Sequence, residues 1–430
     1  MGWVFVDCAV IDCTGGPPLP DAAVLVEGER IVEVAPRREV LSRAGHDHRV
    51  LELDGATLLP GLWDAHIHLG GVVPPWYERF GEHESESEYA YRCVRKATDN
   101  LMAGITSLRT MSDRFNADLH LRAAIERGFL VGPRLFVAGD ALWSRQVAGD
   151  AEFRRRARAL LWAGVDHIKL FASSGIPHRG ETVAHPICTT AELRAAVEEA
   201  HRWRKPACVH AIGDEAVVMG AEAGADVIEH GFVLGDEGIA AMAKHGTVYS
   251  PQLTVTAAWN EGSMRDAGCY PEWLIGNARE AGAQHHAAFR KAVRAGLPII
   301  AGVDNLPRQP LAVGIETFEG RPALVTELRL MIENGLSPMQ ALLAATANTA
   351  RVCGAGRSLG TIEPGKLADL IVVPGDPLAD IGTLHDVRLV MKGGAVIRSS
   401  YRLAEDRRVP ATHGAAGRPG AGDRRPPAGP

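Results

Sequence analysis

The chain has 430 residues, 46% of them apolar and 23% charged, with a formal charge of −6. This is the composition of a globular protein, long enough for one large barrel with an added small unit. The acidic balance, with no Lys/Arg-rich cluster among aromatics, speaks against nucleic acid or an anionic membrane surface as partner.

In chain order, residues 3–10, 23–27, 30–34 and 49–53 read as short strands separated by Gly and Pro clusters such as Gly15-Gly16-Pro17-Pro18. From 59 to 355, short apolar runs alternate with helix-like stretches. The runs are 58–68, 105–109, 135–138, 167–172, 207–210, 227–230, 248–250 and 299–304. Eight such runs with intervening helices predict an α/β fold of the (β/α)8 TIM-barrel type. Helix starts are signalled by Thr189 with Glu192 three residues on, and by Ser337-Pro338 as N-cap and first turn. Residues 278–295 and 340–352 are rich in good helix formers. Strand character returns at 367–374 and 387–398. The strands of 1–58 and 356–402 are therefore expected to pair into one small discontinuous β-sandwich domain beside the barrel of 59–355. Residues 403–430 are rich in Arg, Pro, Gly and Ala and are expected to be a disordered tail.

The seven cysteines are scattered, with no Cys-x-x-Cys, as suits reduced thiols. The amino terminus lacks a basic segment followed by a long apolar core. No uncharged apolar run approaches the roughly 18 residues that would span a bilayer. A cytoplasmic protein with no membrane partner is expected.

The barrel runs end in metal-capable residues. The first ends in His66 and His68, whose i, i+2 spacing on a strand points both imidazoles to one face. The fourth carries Lys169, the fifth ends at His210, the sixth at His230 and the eighth at Asp304. Catalytic groups of such barrels sit at the C-terminal strand ends. Asp64 shares the face of the two histidines and is expected to orient a ligand imidazole. Strand alternation turns Glu229 away from His230, toward the helix layer. The remaining histidines read as structural or solvated, with His178 and His185 near enough in the loop after the fourth run to reach a substrate.

These runs, together with Ile168–Gly175 and the closing Gly360-Thr361-Ile362-Glu363-Pro364-Gly365-Lys366-Leu367-Ala368-Asp369-Leu370, resemble the amidohydrolase superfamily. The likeness is nearest to metal-dependent hydrolases related to imidazolonepropionase and Xaa-Pro dipeptidase, the branch that also holds ochratoxin-type amidases. It covers residues 2–400. The resemblance implies that His66, His68 and Asp304 hold one divalent metal ion, and His210 and His230 a second, zinc being the expected metal. Lys169 would take up carbon dioxide on its ε-nitrogen and bridge both ions. Alternation points Lys169 into the barrel, opposite to Ile168 and Leu170, and a buried lysine readily loses its proton. Where relatives read Arg-Asp after the second run, this chain departs, reading Leu108-Arg109-Thr110-Met111-Ser112-Asp113.

The implied reaction is hydrolysis of a C–N amide bond in a dipeptide or N-acyl amino acid. A metal-bridging hydroxide would attack the carbonyl, with Asp304 as general base and then acid. Specificity would lie in the loops, where Tyr77, Trp143, Trp259, Tyr270 and Trp273 could line an apolar pocket. Arg145, Arg179, Arg308 and Arg321 could grip a carboxylate. Tyr77, His178 and Arg308 are the substrate-binding candidates. The alternative is a mononuclear deaminase or cyclic-amide hydrolase of the imidazolone or lactam type, which needs the histidines and Asp304 but not Lys169. A non-catalytic scaffold would have no use for the six positions. The expected partner is a small-molecule substrate, with homo-oligomerisation possible on this scaffold.

Overall fold

The computed structural model describes residues 2–71, 84–144, 146–176, 182–260, 272–304, 314–318 and 320–401. The strands are β1 (Gly2–Val10), β2 (Leu19–Glu27), β3 (Arg30–Pro36), β4 (Arg49–Pro60), β5 (Leu62–Ile67), β6 (Ile105–Thr110), β7 (Arg134–Phe136) and β8 (Ile168–Phe171). They continue with β9 (Ala207–Gly213), β10 (Val227–Val233), β11 (Val248–Ser250), β12 (Thr317–Phe318), β13 (Arg321–Pro322), β14 (Leu370–Val373), β15 (Leu389–Lys392) and β16 (Ala395–Ser399). Helices alternate with strands from β5 to β11, so the chain is α/β.

The strands near both ends of the chain join in one sheet, ordered β16-β15-β14-β4-β1-β2-β3. Leu59 pairs with Ile371 and Leu58 with Val372. Where the sequence suggests a sandwich, the described residues form this one sheet, and its edge curls round. Ile31 N–H donates to Lys366 O at 2.9 Å and Ala368 N–H to Glu29 O at 2.8 Å. That contact carries β3 onto the segment leading into β14. A single apolar cluster can then draw on Phe5, Val24, Leu53, Leu370, Val372 and Leu389. Curling buries the inner face without a second sheet.

Two expected runs are each divided by glycine. The run 58–68 splits at Gly61, where a Cβ would stand 2.1 Å from Thr106 Oγ1. Only glycine lets the chain pass there from β4 to β5. The run 387–398 splits into β15 and β16 at Gly393-Gly394, whose φ values of 53° and 73° are those of a type I′ hairpin turn. The helical stretch 340–352 also divides, into Pro338–Ala344 and Ala347–Val352. The expected N-terminal caps form at Thr189 with Glu192 and at Ser337 with Pro338 in the first turn.

Strands β5-β6-β7 and β11-β10-β9-β8 form two parallel sheets. Segments outside the named strands hydrogen-bond to their edges. Leu142 N–H donates to Lys169 O at 2.9 Å, and Phe171 N–H to Leu142 O at 3.1 Å. At the other edge, Ile300 N–H donates to Tyr249 O at 3.0 Å and Ala65 N–H to Ala301 O at 2.9 Å. The segment 299–304 thus lies between β11 and β5. Among the described residues, no helix is long and apolar enough to cross a membrane.

Candidate metal centre

The cluster is assembled by backbone contacts. Asp304 N–H donates to His66 O at 2.6 Å, which sets the end of segment 299–304 beside the end of β5. Asp304 Oδ1 then stands 3.6 Å from His66 Nε2 and 3.5 Å from His68 Nε2. Asp304 Oδ2 is 4.0 Å from His230 Nδ1. The His230 ring centroid is 5.0 Å from that of His66 and 4.5 Å from that of His210. Lys169 is 0% exposed, and its Nζ lies 5.3 Å from the Phe171 ring centroid. That ring is in turn 4.7 Å from His210. The six residues singled out in the sequence therefore converge on one place.

Hydrogen bonds fix which imidazole nitrogen is left to bind. His66 Nδ1–H donates to Glu229 Oε2 at 2.8 Å, and His68 Nδ1–H to Ser112 O at 2.7 Å. Both Nε2 lone pairs are thereby directed toward Asp304. His210 uses Nε2–H on Ser174 O at 2.8 Å. His230 Nδ1 and Lys169 Nζ are buried and have no hydrogen-bond partner among the described residues. A buried unsatisfied polar group costs about 1–3 kcal/mol. Neutral imidazoles, a carboxylate and an unpartnered amine suit a divalent cation, which would offset that cost.

The electrostatics keep these donors in their binding forms. Burial above all holds His66 well below the ordinary histidine range. Burial pulls His68 down to about 4, although its bond to Ser112 O works the other way. Burial and then His210 lower His230. Burial also lowers Lys169, favouring the neutral amine. The backbone is strained here too. His230 and Asp304 have φ of 78° and 63°, and Ser112 and Gln252 have 124° and 53°. Such conformations cost of order 1–3 kcal/mol each for non-glycine residues and cluster at functional sites.

That strain corrects the sequence reading of Glu229. Strand alternation turns it toward the helices, but the left-handed turn at His230 breaks the alternation. Glu229 is 0% exposed and lies inside. Its Oε1 accepts from Arg109 Nη2, and its Oε2 accepts from His66 Nδ1–H and, at 3.2 Å, from Gln252 Nε2. Gln252 Oε1 also accepts from His230 N–H at 2.9 Å. Asp64 is corrected as well. Its Oδ1 accepts from His66 N–H at 3.1 Å and Val303 N–H at 3.0 Å. It ties two backbones together rather than orienting an imidazole. Asp113 holds the turn after His68, accepting from Leu69 N–H, Gly70 N–H and Tyr89 O–H. Lys96 donates to His68 O at 2.8 Å and pairs with Glu316.

Of the substrate candidates, Tyr77, His178 and Arg308 lie outside the described residues, as do Arg145, Arg179, Tyr270 and the Trp259 side chain. His185 and Arg321 are exposed, and Trp273 packs on the main core. Trp143 lies against Phe171, with ring centroids 5.8 Å apart.

Strand-end imidazoles, a carboxylate and a dry amine in an α/β frame are the furniture of a metal-dependent enzyme. Residues 57–397 match the amidohydrolase family, and the chain belongs to it. It is similar to ochratoxinase of Aspergillus niger, 26% identical over 433 residues that cover 89% of this chain and 84% of that protein. It is also similar to imidazolonepropionase of Symbiobacterium thermophilum, 26% identical over 417 residues, 85% and 88% of the two chains. A crystal structure of a Xaa-Pro dipeptidase with bound methionine in the active site superposes with a TM-score of 0.82 and 27% identity, covering 93% of this chain and 100% of that one.

Proposed function

We propose that this hydrolase is a binuclear metal enzyme that cleaves the C–N amide bond of a dipeptide or N-acyl amino acid. The observation that carries the reading is the unpartnered Lys169 amine, buried beside the His66, His68 and Asp304 group and the His210 and His230 pair. We further read the two linked parallel sheets and segment 299–304 as one closed (β/α)8 barrel over 59–355. The small domain of 1–58 and 356–402 would sit beside it. His66, His68 and Asp304 would hold one divalent ion and His210 and His230 the other, with zinc as the natural choice. Lys169, carboxylated on Nζ by carbon dioxide with loss of one proton, would join them. Bound ions of this kind supply an acidified water and polarise a carbonyl.

The chain's own groups do the rest. Glu229 and Ser112 hold His66 and His68 in the tautomer that binds. Asp304, at 19% side-chain exposure, is the accessible carboxylate of the cluster. It takes a proton from the attacking water and returns it to the departing nitrogen. The likeness to a Xaa-Pro dipeptidase, named for a peptide substrate, supports a linear amide. The imidazolonepropionase likeness favours a second reading, hydrolysis of a cyclic amide at one ion, but that reading leaves Lys169 without a task. The free cysteines at 8, 13, 93, 188, 208 and 353 suit a cytoplasmic setting.

The test is elemental analysis of protein loaded with zinc and bicarbonate, followed by a screen of dipeptides, N-acyl amino acids and cyclic amides. Two ions per chain and release of a free amino acid are expected. One ion with ring opening alone would favour the second reading. No turnover of any of the three classes would overturn both.

A further inference from the structure

The Arg109 guanidinium has two ends. Its Nη2 donates to Glu229 Oε1, on the side of the candidate metal centre. Its Nη1 is buried and has no hydrogen-bond partner among the described residues. His167 stands just before β8, two residues ahead of Lys169. Its ring hydrogen-bonds the Thr110 backbone carbonyl, while its Nε2 is buried and, like Arg109 Nη1, has no partner among the described residues. Both side chains belong to residues only 2% exposed.

The two residues line one small cavity. Asp166, Pro206, Cys208 and Val227 line it too, and these lie at the starts of β8, β9 and β10. The cavity is therefore at the end of the strands opposite to His210 and His230. It is of the size that holds a single water molecule. One donor and one acceptor are available to it. The Thr110 carbonyl can only accept, so the His167 proton sits on Nδ1 and Nε2 offers a lone pair. Arg109 Nη1 can only donate. A ligand between them must accept from one and donate to the other. A cation would meet the guanidinium, and an anion would meet the lone pair and the Asp166 carboxylate. Water performs both tasks, and buried waters characteristically satisfy polar groups of this kind.

We propose that this cavity binds one ordered water, which accepts from Arg109 Nη1–H and donates to His167 Nε2. A continuous chain then runs from His167 through the water, Arg109 and Glu229 to His66 Nδ1–H. Held at both ends, Arg109 keeps its place against Glu229, and that carboxylate keeps its hold on His66. His167 is thus a positioning residue for the candidate metal centre, acting from the far end of the strands. The water site stands on the cavity and its two unpaired atoms. Only its effect on zinc rests on the reading above that His66 is a ligand.

The first experiment is a high-resolution crystal structure of the full-length, zinc-loaded protein soaked in bromide. A peak without anomalous signal, within about 3.2 Å of both nitrogens, is expected. A bromide peak there, or a map without density between the two atoms, overturns the water. Zinc titration against a competing chelator then compares wild type, His167→Leu and His167→Gln. His167→Leu removes the acceptor and should weaken zinc binding about three- to tenfold, at or below the roughly 10–100-fold typical of losing a ligand's direct partner. His167→Gln, whose Oε1 can accept from the water, should stay within about twofold of wild type. Equal affinity in all three proteins overturns the positioning role, and so does an equal loss in both variants, which would mark disturbed packing. If His167→Leu does not fold, the wild-type map and the His167→Gln affinity decide by the same limits. A water peak in protein that takes up no zinc would leave the water site standing and overturn the metal reading alone.

Discussion

Glu229→Gln is the most informative single substitution. The carboxylate is wholly buried and shared between the Arg109 guanidinium and His66 Nδ1–H, with Gln252 as a third donor. The amide is nearly the same size, so packing is kept and only charge and basicity change. Two separate losses follow. Arg109 is left as an unpaired buried cation, which costs about 3–5 kcal/mol. Against a typical total stability of about 5–15 kcal/mol, that is about a fifth at the least and the whole at the most. His66 also loses the anion that fixes its tautomer, which typically weakens metal binding about 10–100-fold. Urea unfolding of metal-free protein reads the first effect, and zinc titration against a competing chelator reads the second. The double variant Glu229→Gln/Arg109→Met removes the orphaned cation. It should recover most of the stability and none of the metal affinity. A Glu229→Gln protein within about twofold of wild-type zinc affinity would show that His66 does not depend on this carboxylate.

Lys169→Met should abolish turnover, falling by more than about 100-fold, while leaving metal-free stability equal or higher, because an unpartnered buried amine is replaced by an apolar side chain of similar length. Calorimetric melting and turnover of the same sample check this, and retained turnover would remove Lys169 from the mechanism. Acid should destabilise the metal-free protein between about pH 6.5 and 4: with His68 lowered to about 4 in the fold, only the unfolded chain takes up that proton across this window. Unfolding midpoints across the range should fall with pH, and His68→Gln should flatten the fall. Gly302→Ala should push segment 299–304 away from β5, since its Cβ would meet His66 N at 2.6 Å and Ala65 C at 3.1 Å. A loss of about 1–3 kcal/mol with weakened metal binding is expected, and an unchanged melting curve would refute the tight contact.

The residues proposed as ligands could be singled out because most of them stand at the end of an apolar run, and run ends need only hydrophobic pattern to be found. His66, His68, His210, His230 and Asp304 follow that rule, whereas Lys169 lies within its run and was reached through the family resemblance. Glu229 was misread, because period-two alternation assumes extended backbone and His230 turns left-handed beside it. Its partners Arg109 and Gln252 come from distant segments, so no local spacing advertised the network. Asp64 was expected to hold an imidazole, but its bond to Val303 N–H depends on a long-range register that the sequence does not display. The broken runs at Gly61 and Gly393-Gly394 were missed for a simpler reason. Apolar content continues across both, and only the glycines mark the turn. The curled terminal sheet, too, depends on pairings between residues more than three hundred positions apart.

The passage of β4 into β5 with only Gly61 between them has a practical corollary. The strand that bears His66 and leads into His68 is spliced end to end onto a strand whose other flank is zipped to Leu370–Val373. Trimming the protein back before residue 370 would strip that flank bare and loosen the anchorage of the histidine-bearing segment. Minimal expression versions should therefore keep everything through Tyr401, and any fusion partner belongs beyond that point.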